Sequence, residues 1–233
     1  MEIVIEKMHM TDITIPYGQT ESSPVCTQTR IGDSFQQKVA TVGRALPFIE
    51  CKIVDPETNE DLPDGAQGEF VTRGYNVMKG YYKMPEATSQ AIDEDGWLHT
   101  GDLATRDKDG YYKITGRIKD MIIRGGENIY PKEIEEFLYT LPEIKDVQVI
   151  GVPSKAYGEE IMACVILKEG VTISEDQIKA AVKANMARHK TPKYVDFVDS
   201  FPMTASGKIQ KFVMRENAIT KLGLQDAASI ETA

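Results

Sequence analysis

Hydrophobic patterning along this 233-residue chain changes character near residue 120, and that change limits the folds open to it. Up to about residue 115, short strand-like runs such as IECKIVD (49–55), GEFVTRG (68–74) and GYYKITG (110–116) are separated by turn-rich stretches such as DPETNEDLPDGAQG. One short helix is expected after Pro85, through EATSQAI. After residue 120, helical and strand periods alternate. PKEIEEFLYTL puts Pro131 at a helix start and Ile134, Phe137, Leu138 and Leu141 on one face. SEDQIKAAVKANM opens with Ser174 and Gln177 in capping-box spacing. DVQVIGV, EEIMACVILK and YVDFVDSF read as strands, the second apolar on both faces and therefore central, and QKFVMRENAI as a last helix. The expected fold is α+β: a β-rich part, a small antiparallel sheet or distorted barrel, followed by a compact α+β part.

The junction itself is TGRIKDMIIRGGENIYPKEIE, Thr115 to Glu135. It combines basic residues with two adjacent glycines at the lead-in to a helix, a combination that suits a joint handling an anion. Composition narrows which anion. The net charge is −9, and residues 1–116 carry 11 Lys and Arg against 19 Asp and Glu, residues 117–233 16 against 17. Neither half has the basic excess on which binding to a nucleic-acid backbone rests. Any phosphate must be held locally.

Cys26, Cys51 and Cys164 are odd in number and lack CxxC spacing, which argues against a disulfide framework or zinc site and fits a reducing compartment. No run approaches the length of a spanning helix, and MEIVIEKMHM has acidic residues where a secretory leader is basic. A soluble cytoplasmic protein is expected.

Familiar phosphate signatures are missing. There is no GxGxxG, and the Gly207-Lys208 pair has Pro202 where a P-loop needs its first glycine. His9, His99 and His189 lack metal-ligand spacing, and no GxSxG elbow occurs. Three other pieces can carry chemistry. In IPYGQTE, the Tyr17 ring can stack on a base, the Thr20 hydroxyl can meet a phosphate oxygen and Glu21 can hold Mg²⁺; alone, the segment is also an ordinary polar turn. In DGWLHTGDLATRDKDGYYKITGR, Asp102 follows a tight Thr-Gly turn and a hairpin can bring it beside Arg117, where an acid can accept from ribose hydroxyls. In PMTASGKIQKF, Lys208 stands in a glycine-flanked turn and can reach a phosphate or carboxylate as a flexible point charge. ARHKTPK, with Arg188, Lys190 and Lys193, is either a phosphate contact or a solvated helix end.

Together, IPYGQTE, GEFVTRGYNVMKGYY, WLHTGD, GRIKDMIIRGGENIYPKEIE and PMTASGKIQKF resemble, in order and spacing, the adenylate-forming (AMP-binding) enzymes, most closely medium- and long-chain fatty-acyl-CoA synthetases. The resemblance runs from near residue 10 to near 220. It implies residues 1–116 as the C-terminal part of the large AMP-binding domain, 117–120 as a hinge and 121–233 as the mobile C-terminal domain. It further implies a fatty acid-CoA ligase that uses ATP, Mg²⁺ and coenzyme A and passes through an acyl-adenylate.

Residue by residue, the resemblance assigns Tyr17, Thr20, Asp102 and Arg117 to the nucleotide, Glu21 to the metal, Lys119 to the hinge, Gly125 and Gly126 to CoA, and Lys208 to adenylation. Family members carry some three hundred further residues before YGQTE, so the chain resembles the C-terminal part of such an enzyme. Taken alone it is expected to lack activity. Two alternatives stay open: a non-catalytic module binding CoA or a partner, and an adenylation domain that loads an acyl carrier protein.

Overall fold

The computed structural model describes residues 12–229, together with residue 4 and residues 7–10. The opening MEIVIEKMHM and the last four residues of the expected C-terminal domain, 230–233, therefore fall partly or wholly outside the described residues. Two compact units divide the chain, Met1–Ile118 and Lys119–Ala233. Among the described residues there are three sheets, and none takes strands from both units.

In the first unit, β1 (Pro16–Tyr17), β2 (Thr27–Gln28) and β3 (Arg44–Ala45) form a small antiparallel sheet, with helix α1 (Phe35–Ala40) between β2 and β3. A second antiparallel sheet follows in simple meander order: β4 (Ile49–Val54), β5 (Gln67–Gly74), β6 (Leu98–Arg106) and β7 (Tyr112–Arg117). Helix α2 (Pro85–Ala91) starts on Pro85, whose fixed φ and missing N–H suit a first helical position. The Val42–Gly43 segment joins the edge of β7 through Val42 N–H to Tyr112 O at 2.8 Å and Tyr112 N–H to Gly43 O at 2.9 Å. Between the sheets Cys26, Ile53, Phe70, Ala104 and Tyr112 are buried together. Phe70 is central. Tyr17 and Tyr112 each meet its ring edge-on, both at 5.1 Å between centroids, the geometry favoured by the ring quadrupoles.

The second unit is built on one five-stranded sheet. Strand β11 (Gly158–Leu167) pairs along its length with β10 (Ile144–Ser154), in parallel with β12 (Tyr194–Phe197), and at Gly158 with Arg124 of β8 (Ile122–Arg124). Strand β9 (Glu127–Ile129) closes a hairpin with β8. The expectation of a central β11 holds. Ile161, Ala163 and Val165 face one core, shared with Ile134 and Leu138 of α3 (Pro131–Leu138) and Ile178 and Val182 of α4 (Glu175–Asn185). Met162 and Cys164 face the other, against Met214 and Ala218 of α5 (Lys211–Leu222). Alternation along a strand delivers successive side chains to opposite faces, so a run apolar at every position needs a layer on each side.

Helix α3 stops at Leu138, short of the expected Leu141, yet Leu141 still packs on the same core from the following turn. The Ser174 capping box is present, with Gln177 N–H donating to Ser174 Oγ at 3.2 Å and Ser174 N–H to Gln177 Oε1 at 2.8 Å. A last short helix, α6 (Gln225–Ala228), follows α5. No helix among the described residues is long and apolar enough to cross a membrane.

Candidate active site

In the first unit, the β6–β7 hairpin sets Asp102 directly opposite Arg117. Arg117 Nε donates to Asp102 Oδ1 at 2.9 Å. From β1, 85 residues away in sequence, the Tyr17 hydroxyl donates to Asp102 Oδ2 at 2.8 Å. Both carboxylate oxygens are thereby engaged. The carboxylate is 8% exposed while the arginine is 54% exposed, so a buried acid stands behind a basic residue open to solvent.

Tyr17 is half buried with its ring on Phe70, and in this structure it orients the carboxylate. Burial, reinforced by the Asp102 charge, pushes its phenol well above the ordinary tyrosine range, so the hydroxyl remains a donor.

Thr20 and Glu21 lie in a single 3₁₀ turn, Thr20–Ser22, immediately after β1. Thr20 is exposed. The turn is pinned by Met78 N–H donating to Glu21 O at 2.8 Å, and the Glu21 carboxylate accepts from the Tyr81 hydroxyl at 3.0 Å. Among the described residues no group of three or more His, Cys, Asp and Glu is gathered to hold a metal ion. A single carboxylate suits Mg²⁺, which keeps most of its ligands as water and substrate phosphate.

The expected tight Thr-Gly turn before Asp102 is corrected. Thr100 and Gly101 lie inside β6, where they bulge out of the ladder, because β5 pairs with β6 on both sides of them, at His99 and at Leu103. Sequence reading also passed over Glu69, which is 6% exposed and accepts from Gly101 N–H at 2.8 Å. The available signal was a charged residue at the start of GEFV, a run buried at every position from Gly68 to Val71.

In the second unit, Lys119 is an exposed residue at the centre of the 3₁₀ turn Ile118–Asp120, where the unit begins. Gly125 and Gly126 are the turn of the β8–β9 hairpin, with φ of 61° and 85°. The GGENIYP segment is thus strand-forming over Glu127–Ile129, because β8 is paired with β11 and offers β9 an edge. Gly125 N–H donates to Tyr157 O at 2.8 Å, and Arg124 stacks on the Tyr157 ring at 4.4 Å.

Lys208 is exposed on a turn closed by Thr204 N–H to Lys208 O at 2.8 Å and Lys208 N–H to Thr204 Oγ1 at 3.0 Å. Among the described residues its ammonium forms no ion pair, unlike Lys190 on Glu133 and Lys211 on Glu135, at 2.6 and 2.8 Å. Lys193 lies 3.7 Å from Glu160 and Arg188 is exposed, so two of the three basic residues of ARHKTPK are occupied with carboxylates.

Comparison with known proteins bears on what such residues serve. The family model described as AMP-binding enzyme matches residues 2–82, and that described as AMP-binding enzyme C-terminal domain matches residues 133–208. The "Putative acyl-CoA synthetase YngI" of Bacillus subtilis (strain 168) is 60% identical over 227 residues, 97% of this chain and 41% of its own. The mitochondrial medium-chain acyl-CoA ligase ACSF2 of Danio rerio is 48% identical over 96% of this chain and 37% of its own.

Among solved structures, ATP-bound MatB from Rhodopseudomonas palustris is 40% identical with a TM-score of 0.84, over 88% of this chain and 40% of that one. The o-succinylbenzoate CoA synthetase MenE from Bacillus subtilis, in complex with an acyl-adenylate intermediate, is 29% identical with a TM-score of 0.80, over 92% and 43%. The chain thus spans about two fifths of the length of the curated relatives it matches. With both family models matched in order and relatives this similar along nearly all its residues, the chain belongs to the AMP-binding, adenylate-forming enzyme family.

Proposed function

We propose that these residues serve an AMP-forming fatty acid-CoA ligase, which activates a carboxylic acid with ATP as an acyl-adenylate and transfers the acyl group to coenzyme A. The observation that carries this reading is the Asp102 carboxylate, buried and held at both oxygens beside an exposed Arg117, in a chain 60% identical to an acyl-CoA synthetase.

In this reading Asp102 accepts from the ribose hydroxyls, with Arg117 beside it, and the exposed Thr20 hydroxyl donates to a phosphate oxygen. Glu21 supplies one hard oxygen to Mg²⁺, which when bound neutralises phosphate charge. Lys208, free of ion pairs among the described residues, neutralises charge developing between the carboxylate and the α-phosphate. The Gly125-Gly126 turn presents backbone without Cβ atoms to the CoA pantetheine arm, and Lys119 is the hinge between domains 1–116 and 121–233. A cytoplasmic setting is the reading that the free thiols of Cys26, Cys51 and Cys164 support.

The test uses the full open reading frame that encodes these residues. Purified enzyme is assayed for pyrophosphate exchange with ATP across short-, medium- and long-chain fatty acids, and for transfer to CoA against a carrier protein. Fatty-acid-dependent exchange followed by acyl-CoA formation is expected. Exchange without transfer to CoA sinks the ligase assignment.

A further inference from the structure

Strand β6 leaves its ladder with β5 at one place. Glu69 of β5 pairs with Leu103 and Val71 with His99, so Thr100, Gly101 and Asp102 together stand opposite the single residue Phe70. Such a bulge breaks ladder hydrogen bonds and re-aims the side chain beside it. The backbone groups it frees are in a half-buried part of the sheet, where an unpaired N–H or C=O is costly. Side chains satisfy them. Thr100 Oγ1 donates to Phe70 O at 2.6 Å and accepts from Asp102 N–H at 3.2 Å. Glu69 Oε1 accepts from Gly101 N–H at 2.8 Å, and Gly101 holds a φ of 70° that L side chains rarely adopt. The second Glu69 oxygen lies 2.8 Å from His99 Nδ1, which fixes the carboxylate from the other side.

Each of these groups constrains the backbone that carries Asp102. We propose that Glu69, with Thr100, is a positioning residue: it holds the β6 bulge that sets where the Asp102 carboxylate stands, and through it the affinity of this rim for the ribose of ATP. The proposal rests on the nucleotide reading of Asp102 given above. His99 acts one step further out, by fixing Glu69.

The experiment compares Glu69→Ala, Glu69→Gln, Thr100→Val and Asp102→Ala in the full open reading frame. Steady-state constants for ATP and for the fatty acid are measured by pyrophosphate exchange, AMP affinity by calorimetry and melting temperature alongside. Loss of the side-chain hydrogen bonds that hold the bulge is expected to raise the ATP KM about tenfold in Glu69→Ala and in Thr100→Val, with the fatty-acid KM unchanged. Glu69→Gln keeps an acceptor for Gly101 N–H and can donate its amide to His99 Nδ1, so its ATP KM is expected to stay within about threefold of wild type.

An Asp102→Ala enzyme with unchanged nucleotide affinity would overturn the nucleotide reading itself. Weakened binding in Asp102→Ala with wild-type constants in Glu69→Ala and Thr100→Val would overturn the positioning role alone. Should Glu69→Ala fail to fold, Thr100→Val and Glu69→Gln decide: unchanged ATP KM in the first, or equal damage in the two, defeats the proposal.

Discussion

Asp102 and Arg117 are register partners across β6 and β7, and Arg117 Nε reaches Asp102 Oδ1 at 2.9 Å. Replacing Arg117 with Gln removes the charge-assisted contact but leaves Tyr17 on the other carboxylate oxygen. AMP affinity is expected to fall about tenfold, the scale of one charged hydrogen bond. Melting temperature should fall by only a few degrees, because solvent reaches the half-exposed arginine position and Tyr17 still holds the buried carboxylate. Calorimetric titration with AMP checks the first; unaltered affinity takes Arg117 out of the nucleotide rim.

Lys208 offers the opposite separation of activity from stability. Its side chain is exposed and makes no ion pair among the described residues, so Lys208→Ala should change stability by less than about 0.5 kcal/mol. Acyl-adenylate formation by the full open reading frame should nevertheless drop by roughly two to three decades, as when a charge-stabilising donor is lost. Thioester formation from pre-made acyl-adenylate should survive. Wild-type pyrophosphate exchange in this variant removes the assigned role.

The Gly125-Gly126 turn distinguishes strain from contact. A Cβ on Gly125 would meet Tyr157 Cδ1 at 3.1 Å, whereas one on Gly126 meets nothing within 4 Å. Both glycines hold positive φ, so each alanine costs about 1–2 kcal/mol through the backbone, and Gly125→Ala should cost more because Tyr157 must shift under the stacked Arg124. Urea unfolding of each variant gives the order. A raised KM for CoA in both would support the pantetheine assignment, and an unchanged one would remove it.

For Lys119, proline is the informative replacement, since it fixes φ near −65° and removes an N–H. If the chain turns at this residue, adenylation and thioester formation will be impaired unequally. Equal losses in the two half-reactions, measured separately, argue against a joint there.

Alkaline pH should weaken the first unit. Burial raises the Cys51 thiol from 9.0 to about 12 and the Tyr112 phenol from 10.0 to about 12, and raises Tyr17 as well. Above pH about 9 the unfolded chain begins to lose protons that the folded chain keeps, so the folded state binds more protons and stability falls as pH rises. Below that pH the stability is fully present. Urea midpoints followed from about pH 8 to 11 should decline, and Cys51→Ala should make the decline shallower. A flat profile would mean these groups ionise as easily folded as unfolded.

What the sequence determined by itself was whatever depends on neighbours along the chain. The Ser174–Gln177 capping box, the proline starts of α2 and α3, and the two-faced apolar run of β11 were all legible, because caps, fixed φ and side-chain period act within a few residues. The motif order carried the family. Tertiary structure decided the environment of the carboxylate. Thr-Gly before Asp102 reads locally as a turn, and only pairing with β5 on both sides makes it a bulge within a nine-residue strand. Tyr17 and Glu69 reach this segment across 85 and 32 residues, distances at which no periodicity links them to it. The same holds for GGENIYP, whose strand character comes from an edge supplied through β8 and β11. A bulge, an edge and a buried acid are defined by the partner that pairs with them, and pairing is a property of the folded chain.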